Sequence, residues 1–188
     1  MPTRTLILIP GFMSPAWMMI PLQRYLRTDF DRIIRWDYPR VFSDLDVVTQ
    51  SLARTIDETD DHVSIVAHSF GDWIVRSALA HTDHRDFHRL VSVCPVTTAV
   101  PLARRMAPIV GRLASELNVM ASVDRAELSI PDHLVIDRSV IWAKLETLVR
   151  QQITSTRPIR EREVWATHNS VLFQPNGWRC IRHELLIT

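Results

Sequence analysis

HVSIVAHSFGDW, residues His62 to Trp73, is the stretch on which the reading of this chain turns. Val63 to Ala67 is apolar apart from Ser64, which suits a short strand buried on both faces. The chain then turns through His68, Ser69, Phe70 and Gly71 and leaves with Trp73, Ile74, Ser77 and Ala78 at helical spacing. A strand, a tight turn and a helix with a serine at the corner have the form of a nucleophile elbow. Small residues two before and two after the serine, here Ala67 and Gly71, relieve the crowding that such a corner creates. The pattern is A-x-S-x-G.

Outward from the elbow, the segments alternate. Thr5 to Ile9 is a continuous apolar run ended by Pro10-Gly11, and Ser14-Pro15 reads as a helix start. Arg32 to Trp36 reads as a second strand. Val47, Val48, Leu52 and Ile56 then fall at helical spacing behind a capping Ser43 or Asp44, and Glu58 to Asp61 forms an acidic turn. After the elbow helix, from about Phe70 to Ala80, Leu90 to Cys94 reads as a fourth strand stopped by Pro95. This alternation predicts an α/β chain with a mostly parallel sheet of about six strands and helices on both faces. At 188 residues it is expected to be one domain, residues 1–188.

The second half is less regular. Leu102, Met106, Ile109, Val110, Leu113 and Leu117 keep helical spacing, interrupted by Pro108. Such a stripe reads as a packed core helix, with a small cap over a site as the alternative. His133 to Trp142 reads as a strand, Ala143 to Gln152 as a helix and Arg160 to Ala166 as the last strand. Thr167 to Ser170 is a polar loop before a terminal helix carrying Trp178, Ile181 and Leu185.

Composition narrows the classes. A hydrophobic fraction of 46% and a charged fraction of 23% are ordinary for a globular protein, and a net charge of +1 argues against a nucleic-acid surface. The first apolar run is too short for a membrane span or a signal core. Cys94 and Cys180 have no metal-ligand spacing and read as free thiols of a reducing compartment, so a cytoplasmic location is expected.

A serine hydroxyl at neutral pH is a poor nucleophile until a base takes its proton, a third group holds the base, and donors stabilise the oxyanion. Phe70 supplies one backbone donor from the start of the elbow helix. Phe12, with Met13 as the alternative, supplies the second from the loop after the first strand. In the chain order Ser, acid, His, only His168 of the eight histidines follows the last strand and precedes the last helix. The acid is expected at the end of a strand between Ser69 and His168. Asp137 fits best, Asp132 and Glu146 are alternatives, and Asp124 is more distant. Met13 and Trp17, with Phe12, Met18 and Met19, are candidates for an acyl pocket.

LILIPGFMSPAW at the start, DYP after the second strand, VSIVAHSFG at the elbow and ATHNSVLFQPNGWRCIRHEL at the end together resemble small, lid-poor α/β-hydrolases, similar to short bacterial lipase-like esterases. The resemblance covers most of the chain. It implies the α/β-hydrolase fold, Ser69 as nucleophile, His168 as base, and Phe12 and Phe70 as oxyanion donors. It departs at Pro10-Gly11, where such proteins usually have His-Gly, and at Asp72, where a small residue is common. It departs again at Asp137-Arg138-Ser139-Val140, where an Asp-Gly-x-Val stretch usually carries the acid. The expectation is a serine hydrolase acting on small-molecule carboxylic esters with small or medium acyl groups, needing no metal and no organic cofactor. A non-catalytic binding protein on the same fold, or thioesterase, lactonase or acyltransferase chemistry on the same triad, are the alternatives.

Overall fold

The computed structural model describes residues 3–59, 62–111, 113–149, 153 and 158–187. Six strands form one sheet: β1 (Arg4–Ile9), β2 (Arg32–Arg35), β3 (His62–His68), β4 (Phe87–Val93), β5 (Asp137–Leu145) and β6 (Arg160–Thr167). Their order is β2-β1-β3-β4-β5-β6 and every pairing is parallel. The chain starts in the middle, works to one edge, then crosses β1 and works to the other. The strand that leads to Ser69, β3, therefore lies at the centre, between β1 and β4.

Parallel strands are covered on both faces, and the apolar residues of β1 divide accordingly. Ile7 and Ile9 belong to a core with α2 (Leu45–Asp57) and α3 (Phe70–Ala78), where Leu52, Ile56 and Ile74 are fully buried. Leu6 and Leu8 belong to a second core with α1 (Ile20–Leu26) and the terminal helix α7 (Pro175–Leu186), where Leu22, Ile181 and Leu185 are fully buried. Each such side chain contributes roughly 1.5–3 kcal/mol on burial. Asp44 caps α2 by accepting from the Asp46 N–H at 2.9 Å, as its position in the sequence suggests.

Between β4 and β5 the chain makes three short helices: α4 (Pro101–Val110), α5 (Ser115–Met120) and α6 (Val123–Ala126). Expected core packing for the 102–117 stripe is corrected here. Leu117 is buried, but Leu102, Met106, Ile109 and Leu113 are exposed, Ile109 by 82%. Helical spacing marks which residues share a face; it does not say that another element covers that face.

Other boundaries shift as well. Ser14 does not cap a helix: Pro15 precedes a 3-10 turn over Ala16–Met19, and α1 follows it directly. The expected strand 133–142 is β5, displaced toward the C-terminus. The expected helix from Ala143 begins as the end of that strand and continues through 146–149 as a turn; its remainder, 150–152, lies outside the described residues, as do positions 60 and 61 of the expected acidic turn.

Candidate active site

Ser69 has φ 53° and ψ −123°, a conformation that a residue with a side chain adopts only under constraint. Such strain costs roughly 1–3 kcal/mol, and the surroundings hold it in place. The Ser69 N–H donates to the Val93 carbonyl at 2.9 Å, which ties the corner to β4. Its own carbonyl accepts from Asp72 at 3.1 Å and Val96 at 3.3 Å.

The glycine of A-x-S-x-G is required by a close approach. A Cβ on Gly71 would lie 2.5 Å from the Pro10 carbonyl oxygen and 3.0 Å from that of Ile9. Helix α3 thus packs its first turn directly on the end of β1. Gly11 closes the other side: a Cβ there would meet the Ser69 Cβ at 2.8 Å and His68 Nδ1 at 3.2 Å. The loop that follows β1 is consequently pressed against the serine, and it carries Phe12 and Met13 into the same cleft. Phe70 is the first residue of α3, where backbone N–H groups have no partner within the helix.

His168 follows β6 immediately and lines that cleft together with Ser69. Its Nδ1 donates to Glu146 Oε2 at 2.7 Å, leaving Nε2 as the acceptor nitrogen. Glu146 is the first residue after β5, and the turn that follows wraps round its carboxylate. Leu148 and Val149 donate their N–H groups to Oε1 at 2.7 and 3.2 Å. Burial alone raises the carboxyl pKa. The hydrogen bond and charge of His168, with the two amides, outweigh that and bring it down to about 2.

Asp137 stands elsewhere. It begins β5, whereas Glu146 follows its end, and its carboxylate pairs with Arg160 at 2.9 Å and Arg89 at 3.0 Å. The structure brings Ser69 and His168 to one cleft and places Glu146, not Asp137, on the imidazole. The residue after β5 had a signal in the sequence: it is an acid just beyond an apolar run, Val140 to Ala143. The sequence offers Glu146 as an alternative acid inside an expected helix; β5 instead runs on to Leu145 and sets Glu146 just beyond its end. Trp17 is corrected too: it is 61% exposed and does not line the cleft, while Met13 and Met18 do.

Two buried groups support the corner. His68 is fully buried and its Nε2–H donates to the His168 carbonyl at 2.9 Å. Burial first, and then the neighbouring His168, lower its pKa to about 3, so it is neutral at ordinary pH. Asp72, in the first turn of α3, is fully buried and binds Arg76 at 2.8 Å, Arg138 at 3.0 Å and the Ser92 hydroxyl at 2.5 Å. The two guanidiniums and the hydroxyl overcome the burial penalty and hold its pKa below the usual range. Arg76 in turn donates to the Val96 carbonyl at 2.6 Å and to that of Leu128, tying α3 to the segment after α6. The departure at Asp72 is therefore a structural one: an acid with three partners, away from the cleft.

The cleft itself has a volume of about 270 Å³. Beyond Ser69, His168 and His68 its walls are mainly apolar, and α4 and α5 supply Leu102, Met106, Leu117 and Met120.

A parallel sheet wound in this order, with a strained serine between a central strand and a helix, defines an α/β fold of the hydrolase type. The chain matches the alpha/beta hydrolase family over residues 6–187 and belongs to it. Among curated proteins none matches by sequence. Solved structures share its fold at low identity. The pyrethroid hydrolase PytH has a TM-score of 0.67 at 15% identity, over 97% of this chain and 98% of that one. The type II thioesterase BorB of the borrelidin biosynthetic cluster has 0.69 at 13%, over 97% and 91%. A lipase-esterase related protein from Clostridium acetobutylicum has 0.63 at 13%, over 96% and 94%. Among the described residues no helix is long and apolar enough to cross a membrane.

Proposed function

We propose that this chain, as one α/β-hydrolase domain, is a serine hydrolase that cleaves small-molecule carboxylic esters through a Ser69–His168–Glu146 triad. The observation that carries the reading is the 2.7 Å bond from His168 Nδ1 to a carboxylate anchored by two amides. It holds the imidazole in the tautomer whose Nε2 can accept a proton. Family membership and the strained serine support the same conclusion.

Ser69 Oγ attacks the acyl carbon as His168 Nε2 takes its proton, and the Phe12 and Phe70 amides hold the oxyanion. Glu146 stabilises the imidazolium. Collapse of the adduct expels the alcohol, protonated by His168, and leaves an acyl-Ser69. Water, activated by the same imidazole, then releases the acid. None of these steps calls for a metal or organic cofactor. The mainly apolar walls of a cleft of this size favour a small or medium acyl chain. Two free thiols fit a reducing, cytoplasmic setting.

A fluorophosphonate probe and a series of p-nitrophenyl esters test this. Wild-type protein is expected to label and to turn over C4 to C8 esters fastest. Ser69→Ala is expected to do neither, with turnover down by roughly 10⁴-fold or more. Wild-type protein that neither labels nor hydrolyses any ester of the series sinks the proposal. Faster turnover of matched thioesters would move the substrate class while leaving the triad in place.

A further inference from the structure

Cys94 follows β4 and is fully buried at φ 46°, one of four non-glycine residues with positive φ among those described. Its N–H donates to the Ile141 carbonyl of β5 at 2.8 Å. Its sulfur lies against the Ala143 backbone and the Glu146 carboxylate. Cys94 Sγ, a Glu146 carboxylate oxygen and a His168 ring nitrogen all lie within 4.8 Å of one another. Thiolate, carboxylate and imidazole are the ligand types of zinc, at bond lengths of about 2.0–2.3 Å. A tetrahedral ion at those lengths spaces its ligand atoms roughly 3.2–3.7 Å apart. The sulfur has to close by about 1 Å, and the 2.7 Å bond between His168 and Glu146 has to open by half that.

We propose that Cys94, Glu146 and His168 form a binding site for a thiophilic divalent cation such as zinc, and that filling it switches the hydrolase off. Two anionic ligands cancel the charge of the ion, as a buried position demands. A fourth position is left for water. Binding releases one proton, that of the Cys94 thiol. Nδ1 ligates the metal through its lone pair, so the imidazole proton must move to Nε2. That nitrogen then carries a hydrogen and cannot accept one from Ser69. The ion also takes the carboxylate from its role in holding the base. Metal binding stands on the geometry alone; the loss of activity rests on the triad reading above.

The second thiol, Cys180, sits near Glu184, whose oxygens already accept from Ser139 at 2.7 Å and from Arg160 and Arg162 at 3.2 and 2.9 Å. That carboxylate is committed to guanidiniums, which a cation would have to displace, whereas beside Cys94 the carboxylate's side-chain partner is an imidazole that is itself a metal ligand. A Cys180→Ala background keeps the two thiols apart in experiments.

Cobalt(II) titration reads binding without reference to catalysis, through the near-ultraviolet thiolate-to-metal charge-transfer band. The Cys180→Ala protein is expected to bind one equivalent with that band, and so is its Ser69→Ala derivative. Cys94→Ser, which keeps a small polar side chain at the strained position, is expected to lose the band, and Glu146→Gln to weaken binding at least about tenfold. Zinc is expected to stop ester turnover, and a chelator to restore it. Absence of the band, or a band that survives Cys94→Ser, overturns the site. Undiminished turnover at saturating zinc overturns the switch. A Cys94-dependent band in a protein without ester turnover upholds the site and tells against the proposed function instead.

Discussion

The two ends of β5 carry two acids with opposite fates. Asp137 opens the strand, its side chain 42% exposed, and pairs with Arg89 and Arg160. Glu146 follows the strand, its side chain 1% exposed, and receives His168 and two backbone amides. The strand between them spans roughly 26 Å at about 3.3 Å per residue. In open parallel sheets, sites form beyond the carboxyl ends of the strands. Ser69 after β3 and His168 after β6 obey that rule, and the acid that meets His168 stands at a carboxyl end as well, that of β5. The pattern of charges did not separate the two residues; the direction of the strand does.

The sharpest way to break this comparison is to neutralise each acid. Glu146→Gln is expected to lower kcat by roughly 10³–10⁴-fold, through loss of the imidazole's correct tautomer. Asp137→Asn is expected to stay within about threefold of wild type. Equal losses, or the reverse order, on p-nitrophenyl butyrate would remove Glu146 from the proposed triad.

Next in size is the loop proposed to help hold the oxyanion. Gly11→Ala introduces a methyl group 2.8 Å from the Ser69 Cβ, and the loop carrying Phe12 must retreat. A fall in kcat on the order of 10²-fold, with KM nearly unchanged, is expected if that amide serves the transition state. A fall seen only in KM would assign the loop to substrate binding.

Acid stability probes the carboxyl-end groups more gently. The Glu146 carboxyl is lowered in the fold to about 2 from 4.5, so its contribution is complete above pH 4.5 and is lost as pH falls toward 2. His68 is lowered to about 3 from 6.5, so the fold also loses stability as pH falls from 6.5, because the unfolded chain takes up that proton more readily. Chemical denaturation at pH 7 and pH 4 is expected to show a drop in wild type that His68→Asn reduces. An unchanged drop in the variant would place the acid sensitivity elsewhere.

Smaller still is the expected effect of α4. Met106→Trp narrows the cleft wall that α4 supplies and should shift the preferred ester toward shorter chains by roughly tenfold in kcat/KM ratio. An unaltered chain-length profile would mean that the acyl group lies elsewhere. Smallest is the stability cost of Asp137→Asn, at most about 1 kcal/mol and lower in salt, because its ion pairs are partly exposed.

Some of this was legible in the residues alone. The period of the apolar runs marked a parallel α/β chain, and the strand-turn-helix pattern and chain order pointed to Ser69 and His168, which the fold brings to one cleft. These are local or sequential properties: strand alternation, a sharp turn between small residues, and position relative to the last strand. Gly71 shows the limit. Its smallness was expected, but only packing reveals that the Pro10 carbonyl is what demands it.

What tertiary structure alone decided are the matters of distance and cover. Which acid meets His168 depends on where β5 ends and which way it points, and Leu145 rather than Trp142 closes it. Whether the stripe from Leu102 to Leu117 is core or cap depends on what lies opposite: Leu117 meets the core, Leu102 and Met106 face the cleft, and Ile109 is 82% exposed. Cys94 carried no motif at all, yet just after β4 its sulfur stands beside Glu146 and His168. Periodicity and turn chemistry are written residue by residue along a chain. The meeting of atoms from β4, β5 and β6 is written only in how the sheet is wound.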